Sequence, residues 1–89
     1  MEFGWHEFKR QKTLAERGVD FARMALAFRD PDRMTRVDDR RDYGEIRFNM
    51  PAQVKGRVYH VTYTERGNLI WIISARKANE REQRTYGSR

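Results

Sequence analysis

Val58-Tyr59-His60-Val61-Thr62-Tyr63-Thr64-Glu65-Arg66-Gly67-Asn68-Leu69-Ile70-Trp71-Ile72-Ile73-Ser74 is the stretch on which the fold turns. Two β-branched and aromatic runs, 58–64 and 69–74, flank Arg66-Gly67-Asn68, the pattern of a β-hairpin. With Gly67-Asn68 as a two-residue turn, Tyr63 and Ile72 share one face with Tyr59, Val61 and Ile70. His60, Thr62, Thr64, Leu69, Trp71 and Ile73 then occupy the other face. This register gathers the polar side chains together, which favours it over a slip by one residue.

Upstream, residues 45–50 alternate polar and apolar through Ile46 and Phe48 and read as a further strand, which Pro51 closes or marks as an edge. Residues 31–44 carry both signs of charge and read as a solvated connection, with Met34 to Val37 able to form a short edge strand. Earlier, Phe21, Met24, Ala25 and Phe28 fall at helical spacing behind Asp20 as an N-cap, and Asp30-Pro31 ends that helix. Residues 7–17 form a charged first helix that Gly18 terminates, and Phe3 and Trp5 alternate in a short strand or extended arm before it. Downstream, Ala78 to Tyr86 is a last helix, with Ala78, Glu82 and Tyr86 on one face and Gly87 as its stop. The predicted fold is α+β, one domain over 1–89: two N-terminal helices packed on a small twisted antiparallel sheet, with a C-terminal helix.

An 89-residue chain that is 38% hydrophobic builds one thin core. With no cysteine, disulfides and thiolate chemistry are excluded. The first residues carry acid and no apolar run, and the longest apolar stretch, Leu69 to Ile73, is too short to span a bilayer, so a soluble cytoplasmic protein without membrane contact is expected. Of the 19 basic residues only Lys9, Lys12, Lys55 and Lys77 are lysines, and the net charge is +6. Arginine's planar fork grips phosphate in a bidentate way, so a polyanion partner is one reading of this balance. A surface of mutually paired charges is the other.

No Gly-rich phosphate loop, HExxH or CxxC is present, and His6 and His60 are far apart, so neither a metal site nor a cofactor is expected. Ser74-Ala75-Arg76-Lys77-Ala78 places two cations at a strand-to-helix junction that favours anions. Arg76 reads either as a phosphate ligand or as an interior arginine paired to an acid such as Glu45. Glu45 and Arg47, two apart on a strand, project to one face and form either a base beside a phosphate binder or a plain ion pair. Trp71 completes a second small core or stacks on a base, and Tyr86 docks the last helix or reaches a phosphate.

Phe3-Gly4-Trp5, Gly18-Val19-Asp20-Phe21, Phe28-Arg29-Asp30-Pro31, Asp42-Tyr43-Gly44-Glu45-Ile46-Arg47, Gly56-Arg57, Tyr63-Thr64-Glu65-Arg66-Gly67 and Ile72-Ile73-Ser74-Ala75-Arg76-Lys77-Ala78 follow one another, before Arg81-Glu82 and Tyr86. In order and spacing this series resembles the BrnT family of type II toxins, whose fold is RelE-like. The resemblance implies a ribonuclease that needs no metal. Glu45 would take the proton from a ribose 2′-hydroxyl, while Arg47, Arg76 and Lys77 hold the phosphate. Lys9, Arg57, Arg66, Trp71 and Tyr86 would bind the RNA strand. It also implies a BrnA-type antitoxin with a ribbon-helix-helix module, through which DNA is contacted only indirectly. The alternatives are a non-catalytic RNA- or ribosome-binding module, or a protein-interaction domain with an acidic partner.

Overall fold

Alternating side chains build a five-stranded sheet of order β1-β5-β4-β3-β2 from β1 (Glu2–Trp5), β2 (Arg36–Asp38), β3 (Arg47–Val54), β4 (Arg57–Arg66) and β5 (Leu69–Lys77). The computed structural model describes residues 1–87, adding helices α1 (Glu7–Arg17) and α2 (Glu80–Thr85) and a 3₁₀ helix (Arg23–Arg29). The expected antiparallel sheet is a mixed one, because β1 precedes the first helix and pairs parallel to β5, with Phe3 beside Ile70 and Trp5 beside Ile72. Among the described residues no helix is long and apolar enough to cross a membrane.

The hairpin has the expected turn, with Arg66 paired to Leu69 and Tyr63 to Ile72. Beyond that point the ladder shifts: Thr62 pairs with Ser74, Val61 with Ala75 and His60 with Arg76. Ile73 is the extra residue of a β-bulge, which turns the rest of β5 by one residue. A regular ladder would have set Arg76 opposite Tyr59 on the core side. The bulge sets it opposite His60 on the polar side instead.

On the core side, Val61, Tyr63, Ile70, Ile72 and Ala75 meet Met50, Ala52 and Val54 of β3. Phe21, Met24 and Ala27 close this layer and are almost wholly buried. Met24 and Ala27, three apart in the 3₁₀ helix where residues i and i+3 eclipse, both face the sheet, and Phe21 joins them from the turn that precedes the helix. Asp20 is not its N-cap, a place taken by Ala22, but the Asp20 carboxylate accepts from the Ala22 N–H at 3.0 Å and grips Arg10 at 2.7 and 3.2 Å. Phe28 joins Phe3 and Tyr63 in ring contacts at 5.1 and 4.9 Å.

Contrary to expectation, the two N-terminal helices do not both seal this layer. Helix α1 buries none of its residues, and Arg17 in its last turn reaches the polar side of the sheet. Gly18 follows with φ 68°, the left-handed cap its position predicts. Pro51 lies inside β3, not at its end, where β2 has already stopped pairing; its carbonyl faces the free edge and accepts from the Met34 N–H at 2.9 Å. Helix α2 is shorter than the expected Ala78 to Tyr86, because Asn79 caps it with a reciprocal capping box, Asn79 accepting from the Glu82 N–H at 2.8 Å and Glu82 from the Asn79 N–H at 2.9 Å.

Candidate nucleic-acid interface

The polar face of the sheet is assembled by the period-two alternation of its strands. It presents Arg47 and Asn49 from β3, His60, Thr62, Thr64 and Arg66 from β4, and Trp71, Ser74 and Arg76 from β5. Thr64 is the buried member of the row, its hydroxyl donating to the Ile46 carbonyl at 2.6 Å. Two clusters form on this face, one at each end.

The first surrounds Glu45. One carboxylate oxygen accepts from Arg47 Nε and the other from Arg66 Nη2, both at 3.3 Å. The Arg47 guanidinium lies over the Tyr43 ring, 4.2 Å from its centroid, and that of Arg66 over Trp71 at 4.7 Å. Lys9 is close enough to Arg47 to feel it: its pKa falls below the ordinary ammonium value, through lost hydration first and the Arg47 charge second.

The second cluster surrounds Arg76, which sits cross-strand from His60. Its guanidinium makes a bidentate pair with Glu82 at 2.7 and 2.8 Å. The partner expected for an interior Arg76 was Glu45; the carboxylate is instead supplied by α2. Hydrogen bonding from Arg76 holds Glu82 down at about 2, and Glu82 raises Arg76 in return. Arg17, Arg40, Asn49, His60, Thr62, Ser74, Arg76 and Glu82 line a cleft of about 520 Å³, a size that takes a small ligand. The His60 side chain makes no hydrogen bond among the described residues. Burial lowers its pKa, the Arg76 charge adding to the effect and Glu82 opposing it, which favours the neutral ring.

The structure therefore brings Lys9, Glu45, Arg47, Arg66 and Trp71 together, but not with Arg76 or Lys77. Thr64, opposite Arg47, and His60, opposite Arg76, lie four residues apart on β4, roughly 13 Å at the usual strand rise. Lys77 pairs with Tyr59 and so points to the other side of the sheet from Arg76. Arg57 shares that side, and it ties β4 to the end of β5 by donating to the Ala78 carbonyl at 3.0 Å. Tyr86 docks α2, its hydroxyl donating to the Asp30 carboxylate. His60, Arg17, Arg40 and Glu82 were not among the residues picked from sequence. The alternation had put His60 on the polar face, but nothing local linked it to Arg76. Among the described residues no three His, Cys, Asp or Glu side chains gather as metal ligands would.

A family model described as "Ribonuclease toxin, BrnT, of type II toxin-antitoxin system" matches residues 5–82. No curated protein matches the sequence. The matched span runs from β1 to the Glu82 that holds Arg76, so it contains both clusters of the polar face. The chain belongs to the BrnT family of ribonuclease toxins of type II toxin-antitoxin systems.

Proposed function

We propose that this protein cleaves single-stranded RNA in the cleft at the Arg76 end of the polar face, without a metal ion. The observation that carries this reading is the cross-strand pairing of His60 with Arg76 in one cleft, where burial and the Arg76 charge favour the neutral imidazole. A neutral imidazole accepts a proton at pH 7, and the guanidiniums around it suit a phosphodiester. A ring nitrogen of His60 takes the proton of a ribose 2′-hydroxyl, and the 2′-oxygen attacks the adjacent phosphorus. The 5′-oxygen leaves with a proton from solvent, giving a 2′,3′-cyclic phosphate and a 5′-hydroxyl. Arg76, with Arg17 and Arg40 on the cleft wall, offsets the charge that grows on the phosphoryl oxygens; one such contact contributes roughly 3–4 kcal/mol. Proton transfer is assigned to His60 rather than to Glu45 because both Glu45 oxygens are engaged by arginines. DNA lacks the 2′-hydroxyl and would not be cut.

The family's type II character implies an antitoxin, for which a BrnA-type protein with a ribbon-helix-helix module is the proposed partner and the DNA-reading subunit. Purified protein incubated with single-stranded RNA and a chelator tests the chemistry. Fragments ending in 2′,3′-cyclic phosphate, made equally well with and without chelator, are expected; cleavage that disappears on chelation, or ends in 3′-hydroxyl, overturns the mechanism. In cells, expression without the partner should halt growth and co-expression of the antitoxin should restore it.

A further inference from the structure

We propose that Glu45, Arg47 and Arg66 form a preorganised phosphate clamp for single-stranded RNA, placed away from the cutting cleft on the same face. The proposal rests on the reading of this protein as an RNA-cleaving one and adds a second contact point to it. Glu45 is then a positioning residue: it holds two guanidiniums in place.

The arrangement is a row of five side chains, Tyr43, Arg47, Glu45, Arg66 and Trp71, each touching the next. Both ends of the row are fixed. The Tyr43 hydroxyl donates to Asp38 at 3.2 Å. Trp71 lies against Gly4 of the neighbouring strand, where a Cβ would come within 3.0 Å of the indole. An arginine normally loses side-chain freedom when it binds an anion, and here that freedom is already restricted. Donors nevertheless remain. Arg47 spends its Nε on Glu45 and keeps both Nη groups; Arg66 spends one Nη.

Charge gives the ligand its sign. Two guanidiniums and the nearby Lys9 outweigh the single carboxylate, leaving a local excess of positive charge. Guanidiniums beside partly exposed aromatic rings suit a nucleotide, the phosphate on the cations and the base against a ring. The clamp shares its sheet face with His60, Arg47 lying opposite a position roughly 13 Å along β4 and Arg66 stemming from one roughly 20 Å along it, a span of about four to six stacked nucleotides at about 3.4 Å each. A strand seated in the cleft thus reaches the clamp with its flanking nucleotides, which favours RNA over an acidic protein segment as occupant.

The test is binding of a fully 2′-O-methylated oligoribonucleotide, which no attack by its own 2′-oxygen can cut, followed by fluorescence anisotropy across a salt series. Arg47→Ala and Arg66→Ala should each weaken binding roughly 10- to 100-fold, as loss of a charge-assisted hydrogen bond does. Each should also flatten the slope of log affinity against log salt by about 0.7. Gly4→Ala, which changes no charge, should weaken binding by displacing Trp71 from under Arg66. Thermal unfolding confirms that each variant is folded. Affinity and salt slope equal to wild type in all three overturn the clamp. So does a loss of antitoxin neutralisation with RNA binding intact, which would give the arginines to an acidic protein segment. Glu45→Gln adds a kinetic arm on cleavable RNA: a changed KM with kcat near wild type fits the clamp, and a collapsed kcat with unchanged binding makes Glu45 the base and overturns it. Wild type that binds through the arginines yet never cuts unmodified RNA upholds the clamp and removes the ribonuclease reading alone.

Discussion

The two faces of the sheet are made from the same strands, yet one is sealed and the other left open. Behind β3, β4 and β5, Phe21 and the 3₁₀-helix residues Met24 and Ala27 pack with Met50, Val61 and Ile72, and water is excluded. In front, helix α1 buries nothing, and arginines, His60 and threonines remain beside an open cleft. Apolar burial fixes the fold through the first face and so allows the second to carry groups that contribute little to stability. Ion pairs on the open face are partly solvated and weak as structural elements, which keeps their donors available for a ligand.

Because the faces divide in this way, substitutions should separate chemistry from stability, and the largest separation is expected at His60. His60→Gln should lower RNA cleavage by about 10²- to 10⁴-fold, as loss of a general base does, with the unfolding transition unchanged. Wild-type cleavage should also fall as the pH drops through a value below the ordinary histidine pKa of 6.5, since burial and Arg76 disfavour the protonated ring. A variant that keeps both its rate and its acid limb would break the assignment of proton transfer to His60.

The core face should answer in the opposite way. Phe21→Ala is expected to cost about 3–5 kcal/mol of stability, measured by denaturant unfolding, while the fraction still folded cleaves at the wild-type rate. A comparable loss of stability from a polar-face substitution would blur the distinction.

A smaller effect comes from the Arg76–Glu82 pair. Glu82 titrates at about 2 in the folded protein against an ordinary 4.5, so the pair stabilises fully above pH 4.5 and its contribution is lost as the pH falls towards 2. With the guanidinium well exposed, that contribution is on the order of 1–2 kcal/mol. The drop in melting temperature over this window should be shallower in Glu82→Gln than in wild type, and equal slopes would show that the pair adds nothing. The smallest change is expected at Thr64, the buried residue of the open face. Thr64→Val should cost about 1 kcal/mol through loss of its bond to the Ile46 carbonyl, and leave cleavage unaffected.

Much of the fold was legible because β-strand alternation is a local property. Tyr63 had to share a face with Val61, and His60 with Thr62, whatever lay beyond the hairpin. The 3₁₀ helix was harder to read, since Met24 and Ala27 at spacing three and Phe21, Met24, Ala25 and Phe28 at α-helical spacing fit the same short stretch. The pairing of β1 with β5 joins Glu2 to Leu69, a contact for which the local pattern around β1 holds no signal. In the candidate interface, Glu45 and Arg47 were close in sequence and stayed together in space. Lys77 follows Arg76 in sequence, and for that very reason it faces away from it in a strand.

What the sequence determined by itself was the α+β class, the Gly67-Asn68 turn, the polarity of each hairpin face and a strong positive charge. Each of these follows from side-chain type and short-range spacing. Tertiary structure alone decided that Ile73 bulges, that Arg76 meets His60 and Glu82, and that Glu45 instead holds two other arginines, Arg47 and Arg66. Those outcomes depend on how strands and helices distant in the chain pack together, and packing selects a register from among several that the local pattern permits.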